Sequence, residues 1–223
     1  MTQPRYAIYF CPRPDAALDR FGTSWLGSDA ATGTSRERRA ETAAPARYGF
    51  HATLKAPFHL KEGCSLDDLL AAVTTFATGW RGLVLPPLAL RSLQDFVALV
   101  PSGFWPDLQA LAAASVLEFE NMRAPLSAEA IARRKANGLS PRQAVYLELY
   151  GYPYVLDEFR FHMTLSGPLP APQRDRLLAE LAEGAEAATA EGTHVLDLTI
   201  MEEPAPAETF RLVERIALLP PRR

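Results

Sequence analysis

The sequence predicts an α+β protein of two lobes related by a pseudo-two-fold axis, with a central cleft between them. Three observations lead there. The segments Phe50-His51-Ala52-Thr53-Leu54 and Phe161-His162-Met163-Thr164-Leu165 repeat one pattern of aromatic, histidine, any residue, threonine and leucine, 111 residues apart. Each segment is followed by a helical stretch and then two strand-like runs, so a whole unit is duplicated and not a motif alone. The 223 residues, 48% of them hydrophobic, are enough to bury the core of a single bilobed domain.

The elements can be justified in order. Residues 5–10, Arg5-Tyr6-Ala7-Ile8-Tyr9-Phe10, are aromatic and β-rich and stop before Pro12, which predicts a first strand. A short helix is expected over residues 14–26. Residues 27–47 carry Gly27, Ser28, Asp29, Gly33, Thr34 and Ser35 without periodicity and read as a long surface loop. The first motif strand spans 48–56. Ser65-Leu66-Asp67-Asp68 then has the form of a capping box, opening a helix with Leu66, Leu69, Leu70, Val73 and Phe76 at helical spacing. Runs at 82–90 and 96–100 suggest an edge strand broken by Pro86-Pro87 and a hairpin. A helix over 104–121 would bury Leu108, Leu111, Ala112, Val116 and Phe119.

Residues 123–156 form a helical insertion between the units. Ser127 caps a helix through Arg133-Arg134-Lys135, Asn137-Gly138 stops it, and Ser140-Pro141 opens another. The second motif strand spans 159–167, a helix follows over 173–190, and strands are expected at 194–201 and 210–218. The triple basic run is either a solvated helix face or part of a lid over an anionic substrate.

Several function classes are excluded. A net charge of -3 argues against a broad basic surface for long nucleic acids, though a local pocket for a small phosphate ester fits. Cys11 and Cys64 have no metal or redox spacing and are expected as free, buried or half-buried thiols. No signal peptide and no stretch of membrane-spanning length is evident, so a cytoplasmic location is expected.

On a strand, residues i and i+2 share a face, so each motif presents an imidazole beside a hydroxyl. Two such pairs across a cleft suit cleavage of a cyclic phosphate or phosphodiester. His51 and His162 would serve as base and acid, in an order the sequence leaves open, while Thr53 and Thr164 donate to the non-bridging oxygens. Strict alternation also puts Lys55, two residues beyond Thr53, and Arg160, two before His162, on the face of their histidines as substrate-binding cations. Tyr48, at the entrance of the first motif strand, joins them. Phe50 and Phe161 have the other parity and are assigned to the core. His59 and His194 read as structural or surface histidines, and no zinc-ligand spacing supports a metal site. No cofactor is called for. The same groove would also serve a non-catalytic module that binds a nucleotide or RNA end, or a ligase-like transferase; complete histidine and threonine pairs favour chemistry over simple anion binding.

With these residues in view, the chain resembles the two-histidine (2H) phosphoesterase superfamily, whose mark is a pair of strand-borne histidine-x-threonine or histidine-x-serine motifs. The strings RYAIYFCP at 5–12, YGFHATLKAPF at 48–58, LSPRQ at 139–143 and GYPYVLDEFRFHMTLSG at 151–167 resemble, more narrowly, a bacterial LigT-like family encoded near phosphonate-utilisation genes. The resemblance implies ferredoxin-like lobes, metal-independent phosphoesterase chemistry and His51 with Thr53, and His162 with Thr164, as the active pairs. A ribose cyclic phosphate is the substrate it suggests.

Overall fold

Each histidine segment leads into an edge strand of an antiparallel sheet. The computed structural model describes residues 3–14, 16–29, 34–35, 39–136 and 138–222. In chain order these form β1 (Arg5–Phe10), α1 (Ala17–Leu26), the two-residue strands β2 (Ser28–Asp29) and β3 (Thr34–Ser35), α2 (Ala43–Ala46) and β4 (Ala52–Phe58). Next come α3 (Leu66–Ala77), β5 (Leu83–Leu85), β6 (Ala89–Leu93), β7 (Phe96–Val100), α4 (Pro106–Glu118), α5 (Ala128–Lys135) and α6 (Pro141–Tyr150). The chain finishes with β8 (Met163–Thr164), α7 (Ala171–Thr189), β9 (Thr193–Val195), β10 (Asp197–Glu203) and β11 (Arg211–Ala217).

One sheet has the order β11-β10-β1-β4 and the other β6-β7-β8, so β4 and β8 are both edge strands. The duplicated unit and the spatial lobe are not the same thing. After β4 and α3, the chain crosses to build β6 and β7 of the second sheet; after β8 and α7, it crosses back to build β10 and β11 of the first. Each lobe therefore combines the motif strand of one unit with the hairpin of the other. β5 pairs with β9 where the two crossings meet. Helix α3 packs on β10 and β11, α4 on β4, and α7 on β6 and β7.

The helices form where the apolar spacing places them. Leu69, Val73 and Ala77 of α3 are buried, as are Leu108, Leu111, Ala112 and Val116 of α4. The box at Ser65 is complete: the Asp68 amide donates to the Ser65 hydroxyl and the Ser65 amide to the Asp68 carboxylate. Ser140 and Gln143 make a second box in front of α6, which ends at Gly151 with φ +71°, the left-handed cap that glycine tolerates. Phe119 lies beyond the end of α4 and is nonetheless fully buried.

Local differences have physical causes. Pro86 and Pro87 lack backbone donors and split the run at 82–90 into β5 and β6. The stretch read as loop over 27–47 contains the β2–β3 pair and α2; its residues 30–33 and 36–38, like Asn137, lie outside the described residues. The second motif strand is far shorter than 159–167. Only Met163 and Thr164 pair with β7, while residues 159–162 run irregularly into the cleft. No helix of the described residues is long and apolar enough to cross a membrane.

Strand β1 shows how both faces of the first sheet are used. Tyr6, Ile8 and Phe10 enter the main core under the helices, whereas Ala7 and Tyr9 join a smaller cluster with Met201 and Phe210 on the cleft side. Phe50 and Phe161 are buried at 5% and 6% exposure, as their parity requires.

Candidate active site

The two imidazoles are held in the same way. His51 Nδ1 lies 2.9 Å from the Gly49 carbonyl and His162 Nδ1 lies 2.7 Å from the Arg160 carbonyl, in each case two residues upstream. A carbonyl only accepts, so Nδ1 carries the proton in both rings and each neutral ring keeps a lone pair on Nε2. Gly49 has φ +74°, a conformation that aims its carbonyl back at the ring and that a side chain would strain. The Thr53 hydroxyl lies 3.3 Å from His51 Nε2 and can donate to it.

Aromatic rings fix the imidazoles from behind. Tyr9 stacks on His51 with centroids 3.8 Å apart and planes 22° from parallel. Tyr48 stands 6.1 Å from His51 and stacks on Phe210, while Phe96 lies 5.7 Å from His162. Burial pushes the His51 pKa down to about 4, against the pull of the Gly49 carbonyl, and the nearby charge of His162 adds to the lowering. Burial lowers His162 as well.

The cleft has two chambers that share Thr53, Ala56, Phe96, Tyr152 and Tyr154. The smaller, about 240 Å³, is lined by His162, Arg160, Gln143, Glu158 and apolar side chains that include Phe159 and Val155. The larger, about 550 Å³, takes in His51, Thr164, Tyr9, Tyr48, Arg5 and Arg134. Thr53 stands at the junction. Thr164, paired with Ala98, reaches the same chamber as His51 from the opposite sheet. Arg160 is exposed at the mouth and has no side-chain partner among the described residues.

Lys55 is not in the cleft. Its Nζ donates to the Val116 carbonyl at 3.0 Å and to the Glu120 carboxylate at 3.1 Å, and the residue is 3% exposed. The register explains why. Tyr9 pairs with Thr53 but Ile8 pairs with Lys55, so one step on β1 spans two residues on β4. This bulge reverses the alternation, and Lys55 follows Ile8 to the helix side. The expectation that it binds substrate is corrected accordingly.

The other histidines are elsewhere: His59 Nδ1 donates to the Pro4 carbonyl at 3.0 Å, and His194 is exposed on β9. Both cysteines are free. Among the described residues no group of three or more histidine, cysteine, aspartate or glutamate side chains is placed to hold a metal ion. The residues that motif reasoning did not single out come from β1, β7 and the insertion: Tyr9, Phe96, Gln143 and Tyr152, while Arg134 of the basic run lines the larger chamber. The parity of β1 could have supplied Tyr9, and the strings at 139–143 and 151–167 already covered Gln143 and Tyr152.

The family model described as "Protein of unknown function (DUF1045)" matches residues 53–211. The chain belongs to this family. Its similar proteins include the ribose 1,5-bisphosphate phosphokinase PhnN of Janthinobacterium sp. (strain Marseille), 37% identical over 231 residues, which cover 96% of this chain and 51% of that protein. The protein of the same name from Laribacter hongkongensis (strain HLHK9) is 35% identical over 228 residues, 96% of this chain and 52% of that protein. The DUF1045 chain thus spans about half the length of the curated relatives it matches. Among solved structures it is similar to E. coli LigT complexed with ATP, at 13% identity, 98% and 99% coverage of the two chains and a TM-score of 0.47. A crystal structure of a phosphoesterase gives 13% identity, 96% and 98% coverage and a TM-score of 0.45.

Proposed function

We propose that the chain is a 2H-type phosphoesterase that opens a small cyclic phosphate or phosphodiester with His51 and His162 as its proton-transfer pair. The observation that carries the reading is the matched pose of the two rings, each with Nδ1 bound to the carbonyl two residues upstream, which turns Nε2 the other way, at His51 to within 3.3 Å of the Thr53 hydroxyl. Thr53 and Thr164, entering from opposite sheets, supply hydroxyl donors for the charge that develops on phosphorus-bound oxygens.

The depressed pKa of His51 suits a base that is neutral when substrate arrives. His51 Nε2 takes a proton from water as the water oxygen bonds to phosphorus. The bond from phosphorus to the ring oxygen breaks, and that oxygen takes the proton of His162 Nε2. His162 acquires this proton when the anionic phosphate enters and offsets the cost of a buried imidazolium. The products are the ring-opened phosphomonoester, with water consumed, and a pair of histidines that reset by exchange with solvent.

The relatives' name concerns a ribose phosphate, and that name supports a ribose cyclic phosphate of phosphonate metabolism as the substrate. The kinase in the name describes proteins about twice as long. The paired imidazoles of this chain suit proton transfer on an ester instead.

The test is a screen of cyclic ribose phosphates and nucleoside cyclic phosphates with His51→Ala and His162→Ala as controls. Each variant is expected to lose roughly a hundredfold or more in kcat, with ligand Kd changed far less. Full activity in both variants would end the proposal. Binding without turnover by the wild type would favour the non-catalytic nucleotide module. Product analysis in labelled water separates hydrolysis from transfer to another acceptor.

A further inference from the structure

We infer that Arg134, on the insertion helix α5, forms with Arg5 a second anion subsite in the larger chamber, which selects a substrate carrying a second phosphate group. The inference rests on the phosphoesterase reading and adds the substrate class. The larger chamber is lined by both guanidinium-bearing side chains and by no aspartate or glutamate. At about 550 Å³ it has room for more than the reacting phosphate.

The charge around it is not balanced by the protein. Arg134 is half-buried, and among the described residues its side chain donates to a neutral group, the Gly151 carbonyl at 2.6 Å. No carboxylate pairs with it among the described residues. Arg5 binds the buried Glu203, but Glu203 also takes Arg47 at 3.2 Å, so one carboxylate serves two cations. The same arrangement recurs at Glu120, shared between Lys55 and Arg123. Burial and the charges of Arg5, Arg133 and Arg123 all lower the Arg134 pKa, the mark of gathered like charge. Such a cluster is costly in the empty protein and is relieved by a dianion, which a guanidinium binds through two parallel hydrogen bonds. Its neighbours Arg133 and Lys135 do not share this position. Arg133 is exposed and Lys135 pairs with Glu148, so only the middle residue of the basic run turns to the cleft.

The experiment compares ribose 1,2-cyclic phosphate with and without a 5-phosphate. The ratio of their kcat/KM values is expected to favour the phosphorylated ring by roughly ten- to a hundredfold, to collapse in Arg134→Gln and to recover in part in Arg134→Lys. An equal ratio in wild type and Arg134→Gln would overturn the subsite. Thermal melting checks that Arg134→Gln is folded; if it is not, Arg134→Lys decides, since a point charge without the planar fork should still lower the ratio. Calorimetry separates the two claims. Arg134-dependent tighter binding of the phosphorylated ring without hydrolysis keeps the subsite and removes the enzymatic reading. Equal affinity for both rings, or binding of neither, removes the subsite.

Discussion

Thr53 and Lys55 lie two residues apart on one strand and face opposite sides of their sheet. Thr53 stands at the junction of the two cleft chambers, while Lys55 is buried against Glu120 and the end of α4. A substrate-binding lysine and a structural one would respond differently to truncation. Lys55→Ala leaves the Val116 carbonyl and part of Glu120 without a donor and is expected to cost about 3 kcal/mol of stability. Its KM should stay within about twofold of wild type. Lys55→Met, which keeps the stem volume, should cost less. Denaturant melts with kinetics on the folded fraction provide the check, and a large KM increase at unchanged stability would return Lys55 to the cleft.

Tyr9 carries the stack beneath His51 and is 1% exposed. No hydrogen bond is made by its hydroxyl among the described residues, so its ring is the part that positions the imidazole. Tyr9→Phe is therefore expected to keep activity. Tyr9→Leu removes the flat surface and should lower kcat about tenfold, with KM moved by less than threefold, because a misaimed base costs more in the transition state than in binding. An imidazole NMR shift that is the same in Tyr9→Leu and wild type would show that the stack is not what holds the ring.

How far the sequence discloses this arrangement depends on which rule each residue obeys. The histidine-threonine pattern, the capping box at Ser65, the helix start at Ser140 and the buried face of α4 follow from spacing along the chain, and such spacing is local. Lys55 does not follow, because the bulge is set by how β4 registers against β1, a pairing between residues far apart in the chain. The exchange of hairpins between the lobes is hidden for the same reason. Two equal units in sequence do not say whether each closes on itself or on the other. Arg134 was one of three adjacent basic residues, and only the seating of α5 against Gly151 selects it.

Gly22 of α1 lies against the ring of Phe50, the residue before His51. A Cβ at position 22 would sit 1.9 Å from the Phe50 ring, so the helix packs this closely only because glycine is there. Gly22→Ala is expected to destabilise the fold by about 1–3 kcal/mol through overpacking, against the helix-propensity gain of alanine. Displacing Phe50 should also shift His51, giving a fall in kcat in the folded fraction. Unchanged Tm and unchanged kcat together would contradict this packing.

The histidines make both activity and stability depend on pH in a specific direction. In the free protein burial holds His51 near 4 and lowers His162 below its ordinary 6.5. The profile of kcat/KM, which reports the free enzyme, is expected to be bell-shaped with its maximum on the acid side of 6.5. Bound phosphate favours the imidazolium, so the alkaline limb of kcat should lie higher than that of kcat/KM. For stability, unfolding returns His51 to its ordinary value, and between 6.5 and about 4 the unfolded chain binds more protons than the folded one. Stability from the neutral buried ring is thus fully present above 6.5 and declines as the pH falls toward 4. Tm measured across that window should drop less steeply in His51→Gln than in wild type. Parallel slopes would mean that His51 titrates normally in the fold, and the base assigned to it would lose its physical ground.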